Sequence, residues 1–123
     1  MSALLAGKRI LVTQADQFMG PELCRIFASH GACVIADNSL LSDPGAAESV
    51  VAEAGHIDVL IANLSFPAPS TPAEQVSNDE WHEVFAALVE PLPKLVRAAL
   101  VQMIERRAGK ILLMGSASAL RGM

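Results

Sequence analysis

Short apolar runs alternate with amphipathic stretches along most of the chain. Arg9-Ile-Leu-Val-Thr13 is an apolar run that opens on a turn, and Gly20-Pro21 then starts a helix, since proline suits a helix's first turn. Leu23, Ile26 and Phe27 recur on one face of that helix, and Gly31 closes it. Ala32-Cys-Val-Ile-Ala36 is a second strand ending at Asp37, which completes a β-α-β unit. Asp43-Pro44 opens another helix that runs through Ala54, followed by the buried strand Ile57-Asp-Val-Leu-Ile-Ala62.

A loop rich in Ser and Pro spans Leu64 to Ala73. Ser77-Asn-Asp-Glu80 then reads as a helix cap followed by acidic first-turn residues, which favour a helix start electrostatically. That helix continues past Trp81 and Phe85. Pro91 and Pro93 are expected to break or kink it before it resumes from Lys94 to Arg107, because each removes a backbone donor. Gly109 ends it, and Lys110-Ile-Leu-Leu-Met114 is a last strand with Gly115-Ser116 at its carboxyl end.

Strands alternating with helices predict an α/β fold with a doubly wound parallel sheet and right-handed crossovers. Ligands bind such sheets at the carboxyl ends of the strands. Three segments should therefore share one crevice: the loop after Thr13, the loop after Asn63, and Gly115-Ser116. No element after Ser116 is long enough to cover the last strand. Residues 1–123 thus read as the N-terminal part of a single domain whose C-terminal part is absent.

Composition narrows the function classes. The 123 residues are 52% hydrophobic with a formal charge of −4, so nothing basic points to nucleic acid. A mean hydropathy of +0.40 suits strands buried on both faces. The apolar start precedes Lys8 and Arg9, the reverse of a signal peptide's order, and is too short to span a bilayer. A cytoplasmic protein without membrane contact is expected, with Cys24 and Cys33 as buried thiols. His30, His56 and His82 lie far apart, so no metal site is expected.

The segments Ala6-Gly-Lys-Arg-Ile-Leu-Val-Thr13, Ile57-Asp-Val-Leu-Ile-Ala-Asn63 and Gly109-Lys-Ile-Leu-Leu-Met-Gly-Ser116 fall at the spacing of the short-chain dehydrogenase/reductase superfamily. The chain resembles that superfamily throughout, which implies a Rossmann-like domain. Members carry Thr-Gly-x-x-x-Gly-x-Gly after the first strand. Here the loop is Thr13-Gln-Ala-Asp-Gln-Phe-Met-Gly20, with Gln14 and Phe18 in place of the first two glycines and Asp16 adding a negative charge. Glycines in such loops allow positive φ and close approach to a pyrophosphate. Their loss together argues against a bound dinucleotide, while Asp37 still matches the acidic residue that contacts an NAD ribose in relatives.

Thr13-x4-Phe18-x-Gly20 also resembles the Thr-x4-aromatic-x-Gly pattern of halohydrin dehalogenases, a cofactor-free offshoot of the same fold, and Ile35-Ala-Asp37 and Gly45-Ala-Ala47 through Ala54-Gly-His-Ile-Asp-Val-Leu60 resemble their B-type branch. That resemblance implies a halide pocket formed by Thr13, Phe18 and Gly20, with Asn63, Phe66 and Ser116 at the substrate. Ser116 would be the catalytic serine holding a substrate oxygen, with Ser118 pointing elsewhere. Dehydrogenases of the superfamily usually have Asn-Asn-Ala-Gly where this chain has Ala62-Asn-Leu-Ser65, and an Asn where it has Leu88. Both enzyme groups place a Tyr thirteen residues after the serine, followed four residues on by Lys in dehydrogenases or Arg in dehalogenases. The sequence contains no Tyr.

The expected activity is conversion of vicinal haloalcohols to epoxides with halide release, and the reverse opening of epoxides by small anions. Partners would be the haloalcohol or epoxide and the halide. The alternatives are an NAD(P)-dependent oxidoreductase with a degenerate loop and a non-catalytic scaffold. Val84, Leu88, Leu95, Ala98, Leu100 and Met103 recur along the helices from Trp81 to Arg107. Relatives use the same region for a homo-oligomer contact, so a homo-oligomer, dimer or tetramer, is expected, while core packing alone also accounts for such a stripe.

Overall fold

The computed structural model describes residues 3–67 and 70–121. Four parallel strands, β1 (Arg9–Val12), β2 (Cys33–Ala36), β3 (Val59–Ala62) and β4 (Lys110–Leu113), form one sheet in the order β2-β1-β3-β4. Ile10 lies opposite Val34 and Val59, and Leu60 lies opposite Ile111. The chain moves from β1 to β2 on one side and then returns to place β3 on the other side of β1. That reversal opens a crevice at the carboxyl ends of β1 and β3.

Successive strand side chains point to opposite faces, so each strand feeds two cores. On one face Leu11, Leu60 and Ala62 meet Val50, Val51 and Ala54 of α2 (Ala46–Ala54) and Leu95, Ala99 and Met103 of α4 (Pro91–Arg106). On the other, Ile10, Val12 and Ile61 meet Leu23, Cys24 and Phe27 of α1 (Gly20–Ser29). Leu11, Leu60 and Leu95 are fully buried, each contributing about 2 kcal/mol of hydrophobic stabilisation. Burial on both faces fails at β4, where Leu112 and Leu113 are 45% and 55% exposed.

Local chemistry moves several expected boundaries. α3 (Asn78–Leu88) is capped by the Ser77 side chain, which accepts from the Glu80 N–H as its sequence predicts. The break then falls at Val89 and Glu90, and α4 begins at Pro91 instead of Lys94. Both prolines sit in its first turn, where a missing N–H costs no helical bond. Arg107, in the left-handed region, caps α4 two residues before the expected Gly109. α2 starts at Ala46, after a turn through Asp43-Pro44 and a left-handed Gly45.

The expectation of two buried thiols is corrected: Cys33 is exposed and Cys24 half-buried, with partial burial pushing the Cys24 thiol pKa up. Cys33 opens the outer strand β2 and belongs to neither apolar core, its Sγ lying 3.6 Å from Arg9 Nη1. A short α5 (Ser118–Arg121) follows β4. Among the described residues no helix is long and apolar enough to cross a membrane.

Candidate active site

The loop from Thr13 to Gly20 is held from beneath by β3. Thr13 donates its hydroxyl to the Asn63 carbonyl at 2.8 Å and accepts from the Asn63 N–H at 3.0 Å. Asn63 in turn donates Nδ2 to the carbonyls of Gln14 and Gln17, both at 3.0 Å. From the β2 side, the Asp37 carbonyl accepts from Ala15 N–H at 2.9 Å, and Asn38 Oδ1 accepts from Asp16 N–H at 2.9 Å. The loop is therefore ordered by its own chain.

Two residues in it have positive φ, Gln14 at 43° and Phe18 at 52°. These are the positions where the resemblance expects glycine. The glycine-type backbone survives although the glycines do not, and each substitution carries left-handed strain of about 1–2 kcal/mol. Gly20 cannot be replaced so freely, because a Cβ there would lie closer than 3.0 Å to the Ala15 backbone.

The three predicted segments do converge. Phe18, the loop residues Leu64, Ser65 and Phe66, and Met114, Gly115 and Ser116 line one cavity of about 530 Å³. Val84 and Leu88 of α3 and Leu92 of α4 complete an apolar wall. Phe18 is 58% exposed, so its ring lies largely uncovered at the cavity.

Of the expected site residues, Phe18, Phe66 and Ser116 face the cavity and Thr13, Gly20 and Asn63 do not. Thr13 and Asn63 are fully buried under the loop. The Thr13 hydroxyl is committed to Asn63, and the Gly20 N–H donates to the Gln17 carbonyl at 2.8 Å, so neither offers that donor to a halide. Under the loop, Asn63 Oδ1 is buried without a hydrogen-bond partner among the described residues.

Ser116 is exposed, with its Oγ 2.7 Å from Ser118 Oγ, and Ser118 lines the same cavity. The expectation that Ser118 points elsewhere is corrected, because the turn into α5 folds it back within reach. The Ser118 N–H also donates to Ser116 Oγ at 3.2 Å. Sequence reasoning named Ser118 but set it aside, and it missed the Gln14 side chain, whose Oε1 accepts from the Ser65 N–H. The signal for Gln14 was present, since a long amide replacing a loop glycine must find a partner or face water.

Asp37 directly follows β2, as a nucleotide-contacting acid would, yet its carboxylate accepts from Ser39 N–H at 2.9 Å and Ser39 Oγ at 3.1 Å. Among the described residues no three His, Cys, Asp or Glu side chains gather as a metal set.

A parallel α/β sheet with its crevice beside a strand-turn-helix after the first strand defines the Rossmann-like class of fold. The chain belongs to the short-chain dehydrogenase family, whose model matches residues 44–123. That match begins after the loop in which the two glycines are replaced. The chain is 27% identical to a 3-oxoacyl-[acyl-carrier-protein] reductase of Vibrio harveyi over 91% of its own length and 56% of the relative's. The reductase of Escherichia coli is 25% identical over 89% and 55%. The chain thus spans a little over half the length of the curated relatives it matches. A solved structure named as a dehalogenation enzyme superposes with a TM-score of 0.86 at 25% identity, covering 98% of this chain and 58% of that one. The solved structure of gox2181 superposes with a TM-score of 0.84 at 19% identity, over 94% and 56%, a likeness of fold alone.

Proposed function

We infer that the chain forms the anion-binding half of a cofactor-independent halohydrin dehalogenase. The observation that carries this reading is the occupation of the two glycine positions by side chains, with Phe18 on the cavity wall and Gln14 buried across to the next loop. A dinucleotide needs backbone alone at those two positions. These residues do not fit it. The likeness to a structure named as a dehalogenation enzyme supports the same reading.

In the reaction, Ser116 holds the hydroxyl of a vicinal haloalcohol, with Ser118 beside it. A general base takes the hydroxyl proton; the resemblance expects a Tyr thirteen residues past Ser116 in that role. The alkoxide oxygen attacks the adjacent carbon, the carbon–halogen bond breaks, and the halide leaves with the bonding pair as the epoxide closes. Phe18 forms the wall on the leaving-group side, where the positive edge of an aromatic ring suits an anion better than its face. Leu64, Phe66, Val84 and Leu88 receive the carbon skeleton. Thr13, Gly20 and Asn63 act from beneath, by shaping the loop that carries Phe18.

Trp81 and Phe85 of α3, Val89 in the break after it, and Leu100, Val101 and Ile104 of α4 are exposed apolar residues that a homo-oligomer contact would cover. A cytoplasmic location remains part of the proposal. The second reading, an NAD(P)-dependent oxidoreductase, is favoured by the reductase relatives and by Asp37 at the end of β2. One assay separates the two. Incubation with a vicinal bromoalcohol and no nucleotide should release bromide and epoxide in equal amounts; saturable NADH binding without bromide release would replace the first reading with the second.

A further inference from the structure

Gln14 is an unusual residue for its place. Its backbone is left-handed, which penalises any side chain, yet the position carries a long amide that is only 8% exposed. That amide leaves the loop after β1 and its Oε1 accepts the Ser65 N–H in the loop after β3. The Gln14 carbonyl meanwhile accepts from Asn63 Nδ2 at 3.0 Å. One residue thus links the two loops twice, through its backbone and through its side chain.

The side-chain link matters because, beyond Asn63 and the core packing of Leu64, it is the one hydrogen bond among the described residues that holds residues 64–67. Residues 63–67 have no regular secondary structure, and among the described residues the Ser65 N–H has no other acceptor. Phe66, the next residue, lines the 530 Å³ cavity and also a second cavity of about 450 Å³, which Gln14 and Gln17 line as well. Ser65 and Phe66 therefore both stand between the two spaces. A glycine at position 14 could make no such link.

We propose that Gln14 is a positioning residue whose side-chain amide fixes Ser65, and through it the Phe66 wall, so that the cavity keeps its shape without a ligand bridging the loops. What the cavity binds rests on the function proposed above; the strut itself does not. Replacing the loop glycine removed a turn residue and at the same time added a tie.

The test compares Gln14→Met, which keeps side-chain length and backbone strain but loses the acceptor, with Gln14→Glu, which keeps an acceptor, in the intact protein. Amide hydrogen exchange at Ser65 should accelerate about tenfold in Gln14→Met and stay near wild type in Gln14→Glu, with Leu11 and Leu60 unchanged in both. Gln14→Gly, which relieves the strain, should accelerate Ser65 as Met does, so a folding defect specific to Met cannot mimic the result. With a vicinal bromoalcohol, Gln14→Met should raise KM about tenfold with kcat within about twofold, and Gln14→Glu should restore it. Unchanged Ser65 exchange in Gln14→Met and Gln14→Gly, or equal acceleration in Met and Glu, overturns the strut. Absence of bromide release from wild type overturns the functional reading and leaves the exchange result to decide the strut alone.

Discussion

The two ends of the sheet are tied by different chemistry. At the amino end the ties are largely charged: Arg9 donates Nη2 to the Ala54 carbonyl at 2.9 Å and Nε to the His56 carbonyl at 2.8 Å, while its backbone N–H donates to Asp58 Oδ2 at 2.8 Å. Arg106 and Gln102 bond the Ile57 carbonyl and N–H at 2.6 and 2.8 Å. These groups close off the end of α2 and the start of β3. At the carboxyl end the ties from Thr13, Asn63, Asn38 and Gln14 are all uncharged, and one of their acceptors, Asn63 Oδ1, is idle. Long flexible cations reach around a half-exposed edge; short neutral groups fix a loop from below and leave the space above it open. The proposed chemistry falls at the second end, where the scaffold lies underneath the cavity.

The largest expected effect tests how tightly that scaffold is built. Gly20→Ala sets a Cβ against the Ala15 backbone, which cannot swing away as a side chain would. A loss of about 3 kcal/mol in urea denaturation is expected. A loss below about 1 kcal/mol would mean that the loop relaxes at little cost. Asn63→Leu should come next. It removes two buried donor contacts, to Gln14 and Gln17, and also the unpartnered Oδ1, so the net loss should be about 2 kcal/mol. Faster amide exchange in residues 14–17 than in α2 would locate the damage.

Asp58→Ala probes the charged end, and pH separates it from the neutral one. The Arg9 backbone N–H, and after it the His56 side chain, hold the Asp58 carboxyl below its ordinary pKa. A carboxyl so depressed stabilises the fold above its unfolded pKa of about 3.9, and that contribution is lost as pH falls through the lower folded value. Wild type should therefore exceed Asp58→Ala by about 1 kcal/mol at neutral pH, with the gap narrowing below about pH 4. The Asn63→Leu gap should not change over the same range, since its partners do not titrate. Equal pH profiles for the two variants would erase the contrast between the ends.

The strand cores and the convergence of three loops were legible because period and turn chemistry act locally: Val12 to Thr13, Ala62 to Asn63 and Met114 to Ser116 each end an apolar run on a polar residue. The Ser77 cap was legible for the same reason. What escaped were choices that depend on a partner distant in sequence. Thr13 looked like a ligand residue, but its hydroxyl is matched by Asn63, fifty residues on. Gln14 looked like a loss, because Ser65 becomes its neighbour only through the β1–β3 pairing. Pro91 looked like a helix breaker, but where the break falls depends on which side of the proline the helix begins.

Phe18→Gly should have the smallest effect on stability and so isolates function from scaffold. The ring is 58% exposed, so little apolar burial is lost. Glycine removes the left-handed strain at φ 52°, about 1 kcal/mol in its favour, and gives the unfolded chain more freedom, about 1 kcal/mol against it. The two terms oppose each other, and the measured change should stay within about 0.5 kcal/mol. At the cavity nothing compensates: on the proposed function the wall on the leaving-group side disappears, and bromide inhibition of epoxide formation should then weaken by about tenfold, equivalent to about 1.4 kcal/mol. A variant as stable as wild type with unaltered bromide inhibition would leave the neutral scaffold intact and remove Phe18 from the site it supports.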